Sequence, residues 1–213
     1  MAEDLPWSEH YDETRRLRDP STATPYEYSK MLSEDIVRER AKSGGVEAVI
    51  VRPSGLIGTP DLRGAAVCRT VQELFLGKMK FVMTGGYDFV DARDVADGIL
   101  SAIDKGVNGE TYLLTGKHYS LKAVAQIMHD FGGGKVPIEL PVNLMIALVP
   151  VIQFINRLKG NNEVITKDSL EMFRDSHPNM SCEKAKRDLG YSPRDLEVTL
   201  RDMVTWWKEQ GQI

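Results

Sequence analysis

The stretch TPYEYSKMLSEDIVRERAKSGGVEAVIVRPSGLIG, residues 24–58, decides the fold because it is typical of a helix followed by a buried strand. Thr24 is a favourable N-cap, and Glu27 three residues later completes a capping box. The helix is predicted to run to about Ser43 and to end at a glycine pair suited to a C-terminal cap. Residues 46–52 are mostly apolar and β-branched, as strands of buried parallel sheets are.

The rest of the chain alternates strand and helix patterns. The predicted strands are residues 80–83, 89–90, 111–114 and 136–140. The predicted helices are residues 93–105 capped by Asp91, 120–131, 141–158, 182–190 capped by Ser181, and 195–210. This alternation predicts an α/β fold, with parallel pairing in the first half of the chain and a more helical second half.

Composition excludes several classes of protein. The 213 residues include 27 basic and 31 acidic side chains, a formal charge of −4, and 42% are hydrophobic, as in an ordinary globular protein. The acidic excess argues against nucleic acid as the main partner, because phosphate binding favours a basic face. The length is sufficient to bury a core.

The two cysteines and the apolar segments give no sign of an exported or membrane-spanning protein. Cys68 and Cys182 are far apart and match neither a zinc motif nor a disulfide framework, so a reducing cytoplasm is the expected compartment. The first 19 residues are polar and lack a signal-peptide core. Residues 141–158 are too short and too interrupted by polar residues for a membrane span, and we interpret them as a buried or interfacial helix.

The most informative pair of side chains is Tyr26 and Lys30, which lie one helical turn apart on the same face. A lysine ammonium beside a phenol stabilises phenolate and lowers the tyrosine pKa toward the range of a general acid or base. This spacing also arises by chance in a chain with seven tyrosines. Tyr28 is a rival position, but Leu32 stands four residues after it instead of a lysine.

Five segments in order resemble the extended short-chain dehydrogenase/reductase family, the NAD-dependent epimerase/dehydratase group. They are PYEYSK, VIVRPSGLIG, FVDARDVADGIL, GETYLLTGKHYSLKAVAQIM and SCEKAKRDLGYSPRDLEVTLRDMVTWWKEQG. Together they extend over most of the chain, and the apolar segment after Pro141 is closest to the dihydroflavonol-reductase-like branch.

The resemblance implies roles for six residues. Tyr26 would be the proton-transferring phenol, and Lys30 would hold the nicotinamide ribose and lower the pKa of Tyr26. The backbone of Pro53, Ser54, Gly55 and Leu56 would border the nicotinamide carboxamide, at the carboxyl end of a strand where ligands of parallel sheets bind. A plain strand end and turn explains those four residues equally well. The implied cofactor is NAD or NADP.

The resemblance covers only part of the family's pattern. No glycine-rich turn joins a strand to a helix N-terminus, where the pyrophosphate would bind, and Gly132–Gly134 ends a helix instead. We therefore expect an incomplete Rossmann-type parallel sheet without its first five strands, plus a smaller, mostly helical α/β substrate domain. Residues 1–116 would belong to the dinucleotide-binding domain, with 61–97 contributing to the substrate domain, and residues 117–213 would form the substrate domain.

Two functions follow as expectations. In the first, the chain is the C-terminal portion of an NAD(P)-dependent oxidoreductase or epimerase, inactive alone, which acts on a carbonyl, an alcohol or a nucleotide sugar. In the second, it is a non-catalytic remnant or a binding and assembly module, with a second copy or a complementing N-terminal chain as its partner.

In the stretch Tyr87-Asp88-Phe89-Val90, Tyr87 stands where nucleotide-sugar enzymes of this family usually carry arginine. Arg93 is interpreted as solvated or ion-paired. The four histidines lack metal-ligand spacing, so no metal is expected.

Overall fold

The computed structural model describes residues 9–15, 19–158 and 176–213. Its helices are α1 (Pro25–Lys42), α2 (Ala66–Phe75), α3 (Ala92–Lys105), α4 (Leu121–Asp130), α5 (Val142–Leu158), α6 (Glu183–Leu189) and α7 (Leu196–Glu209). Its strands are β1 (Ile50–Pro53), β2 (Gly55–Ile57), β3 (Phe81–Met83), β4 (Gly86–Asp91), β5 (Thr111–Leu114), β6 (Lys117–Ser120) and β7 (Ile138–Leu140).

The strands of the described residues form three small sheets. β1 pairs with β5, β3 pairs with β7, and a third sheet has the order β2-β4-β6. The pairings of β1 with β5, β2 with β4 and β3 with β7 are all parallel. This confirms the predicted α/β fold with parallel sheets, whereas the absence of five Rossmann strands stays a prediction.

Most predicted elements lie within a few residues of the observed ones. α1 begins with the predicted capping box, its C-cap is Ser43, and Gly44 follows with a φ of 71°. Asp91 caps α3 through a bond from the backbone of Arg93. The first strand is shorter than the predicted 46–52 and begins at Ile50.

Two local predictions were wrong. The N-cap of α6 is Cys182, and Ser181 lies one residue earlier, where its hydroxyl accepts from the backbone N–H of Glu183 at 3.3 Å. The second concerns the turn expected after Pro53, because Gly55–Ile57 is instead a strand paired with β4. A three-residue segment that begins at Gly55 and is followed by Gly58 carries little strand signal, and here the partner strand determines the conformation.

The described residues cluster into two compact units that interleave along the sequence. The first takes its residues from Met1–Ile57, Phe89–Lys117 and Asn179–Leu196, and the second from Gly58–Asp88, His118–Pro178 and Glu197–Ile213. The assignment of 1–116 to the cofactor and of 117–213 to the substrate stays a prediction.

Each unit has its own apolar core. In the first, side chains of α3, β5 and α6 meet, including Val95, Leu114 and Leu189. In the second, α2 packs against α4, with Val71 and Met128 almost completely buried. None of the helices among the described residues combines the length and the apolar character needed to cross a bilayer.

Candidate active site

The N-terminal end of α1 presents Tyr26 and Lys30 to solvent. The first turn is held by Thr24, whose hydroxyl accepts from the backbone N–H of Glu27 at 3.3 Å, and by the Glu27 carboxylate, which accepts from the N–H of Thr24 at 2.7 Å. The Tyr26 side chain is 65% exposed, and Lys30 is also exposed. The Lys30 Nζ lies 5.6 Å from the centroid of the Tyr26 ring. The spacing of one turn therefore brings the ammonium beside the phenol ring.

No side chain among the described residues forms a hydrogen bond or ion pair with the side chain of Tyr26 or of Lys30. Both polar groups are thus available to a ligand. The rival Tyr28 is also exposed, but Leu32 stands one turn after it. The arrangement can hold a proton donor and a fixed positive charge close together, which suits proton exchange with an oxygen.

The four predicted strand-end residues lie where β1 passes into β2. Pro53 is the last residue of β1, and the N–H of Ser54 donates to the carbonyl of Leu114 on β5 at 3.3 Å. Gly55 is buried in β2, whereas Leu56 is 42% exposed. The Ser54 Oγ is buried and has no hydrogen-bond partner among the described residues. Pro53 and Ser54 lie at the carboxyl ends of the parallel strands β1 and β5, the edge where ligands of α/β sheets bind, and Gly55 and Leu56 begin β2.

A polar brace joins α1 to these strands. The Glu34 carboxylate accepts from both Nε and Nη2 of Arg52 on β1, with the Nε to Oε1 distance 2.8 Å. Arg38 donates to the same carboxylate at 3.4 Å and to the Thr111 hydroxyl on β5 at 2.7 Å. The helix that carries Tyr26 is therefore tied to the strand that ends at Pro53.

Burial alone would raise the pKa of Glu34. The hydrogen bonds and charges of Arg52 and Arg38 outweigh this effect, and the pKa lies below the ordinary glutamate value. Glu34 is therefore an anion at neutral pH.

Sequence reasoning missed this brace. Two signals were available: Glu34 and Arg38 continue the one-turn series that begins with Lys30, and Arg52 directly precedes Pro53. Neither signal identifies a partner, because Glu34 and Arg52 are 18 residues apart and meet only when the strand folds beside the helix.

Arg93 is ion-paired, which is one of the two states predicted from the sequence. Its Nε and Nη2 donate to the Asp91 carboxylate at 2.9 Å and 2.7 Å. Arg194 forms the corresponding pair with Asp94, with Nη2 to Oδ1 at 2.7 Å. These four side chains form an ion-pair network at the N-terminal end of α3.

An open cleft of about 420 Å³ in the first unit contains none of the six predicted site residues. Its charged groups already bond to the protein. Lys184 donates to Glu110 at 2.6 Å and to the Thr111 carbonyl at 2.8 Å, and Glu13 accepts from the N–H of Leu113 at 2.8 Å. We therefore assign this cleft no ligand. Among the residues that the structure describes, no cluster of histidine, cysteine and carboxylate side chains could hold a metal ion.

Comparison with known proteins identifies the family of the chain. The model of the NAD dependent epimerase/dehydratase family matches residues 2–115, which is more than half of the chain. Sterol demethylase protein B of Methylococcus capsulatus is 30% identical over 194 residues, which cover 89% of this chain and 58% of that protein. A Synechocystis protein provisionally named dihydroflavonol 4-reductase is 25% identical over 193 residues, which cover 88% of this chain and 56% of that protein.

A solved structure shows the same fold. The nucleoside-diphosphate-sugar epimerase of Pseudomonas aeruginosa superposes with a TM-score of 0.76 at 22% identity, covering 100% of this chain and 65% of that one. The chain thus spans between about half and two thirds of the length of each of these proteins.

Proposed function

The chain belongs to the NAD-dependent epimerase/dehydratase family, and we propose that it forms the proton-transfer and substrate-binding portion of an NAD(P)-dependent oxidoreductase or epimerase. One observation carries the proposal: Lys30 Nζ lies 5.6 Å from the ring centroid of Tyr26, with both side chains exposed on the first turns of α1. A phenol beside a fixed cation is suited to exchange a proton with a carbonyl or alcohol oxygen.

The residues present fit the nicotinamide end of the cofactor. Tyr26 and Lys30 offer a phenol and an ammonium for the ribose hydroxyls, and residues 53–56 offer backbone groups for the carboxamide. The buried, unpartnered Ser54 Oγ at the end of β1 supports this placement, because a hydroxyl there can bond to an amide. The sequence given holds no glycine-rich turn for the pyrophosphate, so no residue is assigned to that end. When bound, the nicotinamide supplies the hydride exchange.

The chain's own residues then have separate tasks. Tyr26 gives a proton to the substrate oxygen in the reducing direction and takes one in the oxidising direction. Lys30 places its ammonium beside the Tyr26 ring and donates to the ribose. The brace from Glu34 to Arg52 holds α1 against β1, so that the Tyr26 end of the helix keeps its orientation toward the strand ends.

The substrate proposed is a carbonyl compound or alcohol of low polarity, with a nucleotide sugar as the alternative. Two features support the first choice. Tyr87 stands at the position where nucleotide-sugar enzymes usually carry arginine, and Arg93 is already engaged by Asp91. Tyrosine thus replaces the arginine expected to contact a diphosphate, and the nearby Arg93 already pairs with a carboxylate.

The experiment that tests the mechanism compares Tyr26→Phe with Tyr28→Phe in the protein as the gene encodes it. We expect Tyr26→Phe to lower turnover of a carbonyl panel with NADH or NADPH by about a hundredfold or more, because general acid–base catalysis contributes that much. Tyr28→Phe is the matched control on the same helix and should retain activity. Full activity of Tyr26→Phe would contradict the assignment.

A second candidate function is a non-catalytic binding or assembly module. It is supported by the exposure of apolar side chains along α1, where Leu32 is 44% and Ile36 61% exposed. Among the described residues, β1 also pairs with a strand on one side only. Exposed apolar faces of this kind commonly mark contact with another chain.

A further inference from the structure

Two segments of the second unit run side by side and form one continuous surface. The N–H of Gly134 donates to the carbonyl of Phe75 at 2.7 Å, and the N–H of Ile138 donates to the carbonyl of Lys80 at 3.0 Å. A side chain on Gly134 would place its Cβ 2.3 Å from the Cα of Gly77. Only glycine permits this close approach, which brings residues 76–81 and 134–138 together.

The outer side of this surface is apolar at three positions. Phe81 and Ile138 are direct neighbours in the parallel register of β3 and β7, and they are 49% and 63% exposed. Leu76, at the end of α2, is 37% exposed. Val82 points to the opposite face of β3 and is 2% exposed, so the core of the unit lies behind the pair and the outer face is uncovered by described residues.

The same surface is positively charged. Lys78, Lys80 and Lys135 are all exposed, and none of them forms an ion pair with a described residue. Residues 76–83 and 131–138 contain no aspartate or glutamate. Asp130 and Glu139 directly flank the second segment, and within the two segments the charged side chains are the three lysines. We call the three lysines with Leu76, Phe81 and Ile138 the basic–apolar patch.

Lysines around exposed large apolar side chains are complementary to one kind of surface. Anionic lipid headgroups attract the ammonium groups, while the aromatic and aliphatic side chains enter the boundary between headgroups and acyl chains. Nucleic acid would satisfy the charges but would leave the apolar pair uncovered. The helix that follows β7 adds further exposed apolar side chains at Leu144 and Leu148, consistent with an apolar phase near this unit.

We propose that the basic–apolar patch docks the protein on the surface of a bilayer that contains anionic lipid. The docking is peripheral, because the charged and apolar groups lie on a strand pair and its flanking loops. It does not depend on the proposed catalytic role of Tyr26, since the patch belongs to the second unit and needs no cofactor.

Cosedimentation with vesicles tests the proposal on the whole chain. We expect binding to vesicles of phosphatidylcholine with phosphatidylserine, weaker binding to phosphatidylcholine alone, and a decrease with added salt. Neutralising the patch by K78Q/K80Q/K135Q should lower the partition constant at least about tenfold, since each lysine near the surface contributes appreciably. Phe81→Ser with Ile138→Ser should lower it by a similar factor.

Matched controls separate the patch from general surface effects. K42Q/K122Q/K208Q removes three other exposed lysines, and Leu62→Ser removes an apolar side chain that is 85% exposed. After the change in net charge is allowed for, neither control should change the partition constant for the vesicles by more than about twofold. Circular dichroism verifies that all variants are folded. The proposal is overturned if the chain does not sediment with the anionic vesicles, or if the patch variants bind as well as their controls.

Discussion

At the residue scale, the carboxylate of Glu34 connects three elements. It accepts two hydrogen bonds from Arg52 on β1 and one from Arg38, which in turn donates to Thr111 on β5. The apolar anchoring of α1 is slight, since Met31 and Ala41 are its buried apolar side chains. The polar brace is therefore a main link between the helix that carries Tyr26 and the sheet.

Glu34→Gln should lower the free energy of unfolding at pH 7 by roughly 1–3 kcal/mol, because a charged, partly buried hydrogen-bonded pair is lost. The folded pKa of Glu34 lies below the ordinary value of 4.5. Its contribution to stability is thus complete above about pH 4.5 and is lost as pH falls through the folded pKa. Urea denaturation should show the full difference between the two proteins at pH 7 and a much smaller one near pH 3.

Asp35→Asn is the matched control on the same helix, because Asp35 is exposed and the structure gives it no partner among the described residues. It should change stability by less than about 0.5 kcal/mol. The ionic character of the brace would be contradicted if Glu34→Gln and the parent differed by the same free energy of unfolding at pH 7 and at pH 3.

At the element scale, the turn from β5 into β6 depends on a close approach to β4. A Cβ on Gly116 would lie 1.9 Å from the carbonyl oxygen of Phe89 and 3.1 Å from the Cα of Val90. Phe89 is also the residue of β4 that stands opposite Gly55 of β2. The backbone at Phe89 therefore lies close both to the strand that follows Pro53 and to the turn that follows β5.

Gly116→Ala should destabilise the protein by about 2–3 kcal/mol, because the obstructing atoms are backbone and cannot move as a flexible side chain could. The measurement is the urea midpoint of the variant against the parent. Gly45→Ala provides the control, since its Cβ would meet the carbonyl of Arg40 at an ordinary 3.6 Å. Equal stability of the two variants would show that β4 and the β5–β6 turn separate more easily than the structure implies.

At the scale of the whole molecule, the two proposed functions differ in what the chain binds. Every residue assigned to the cofactor lies at the nicotinamide end, and the backbone cradle that binds pyrophosphate in dinucleotide sites has no counterpart in the sequence given. Because such a cradle supplies several charge-assisted hydrogen bonds, the chain by itself should bind NAD and NADP weakly.

Calorimetric titration of the chain with NAD and NADP should therefore give no saturation at micromolar dinucleotide. The titration is then repeated with the remaining part of the Methylococcus relative present in trans. A large gain in affinity would support the oxidoreductase portion, and no gain would support the binding module. Micromolar binding by this chain alone would contradict the module and would require a pyrophosphate site that we have not assigned.

The sequence by itself determined what depends on neighbours along the chain. The capping box and the glycine end of α1 follow from Thr24, Glu27 and Gly44, because helix ends are fixed by side chains within one turn. The proximity of Tyr26 and Lys30 follows in the same way from their spacing, and the ordered motifs identified the family.

Only the tertiary structure decided what depends on segments distant in sequence. β2 is a strand because β4 lies beside it, and Glu34 meets Arg52 because α1 lies against β1. The basic–apolar patch exists because residues 76–81 and 134–138 become adjacent. Such contacts are selected by the packing of the whole chain, and residue type alone does not specify the partner.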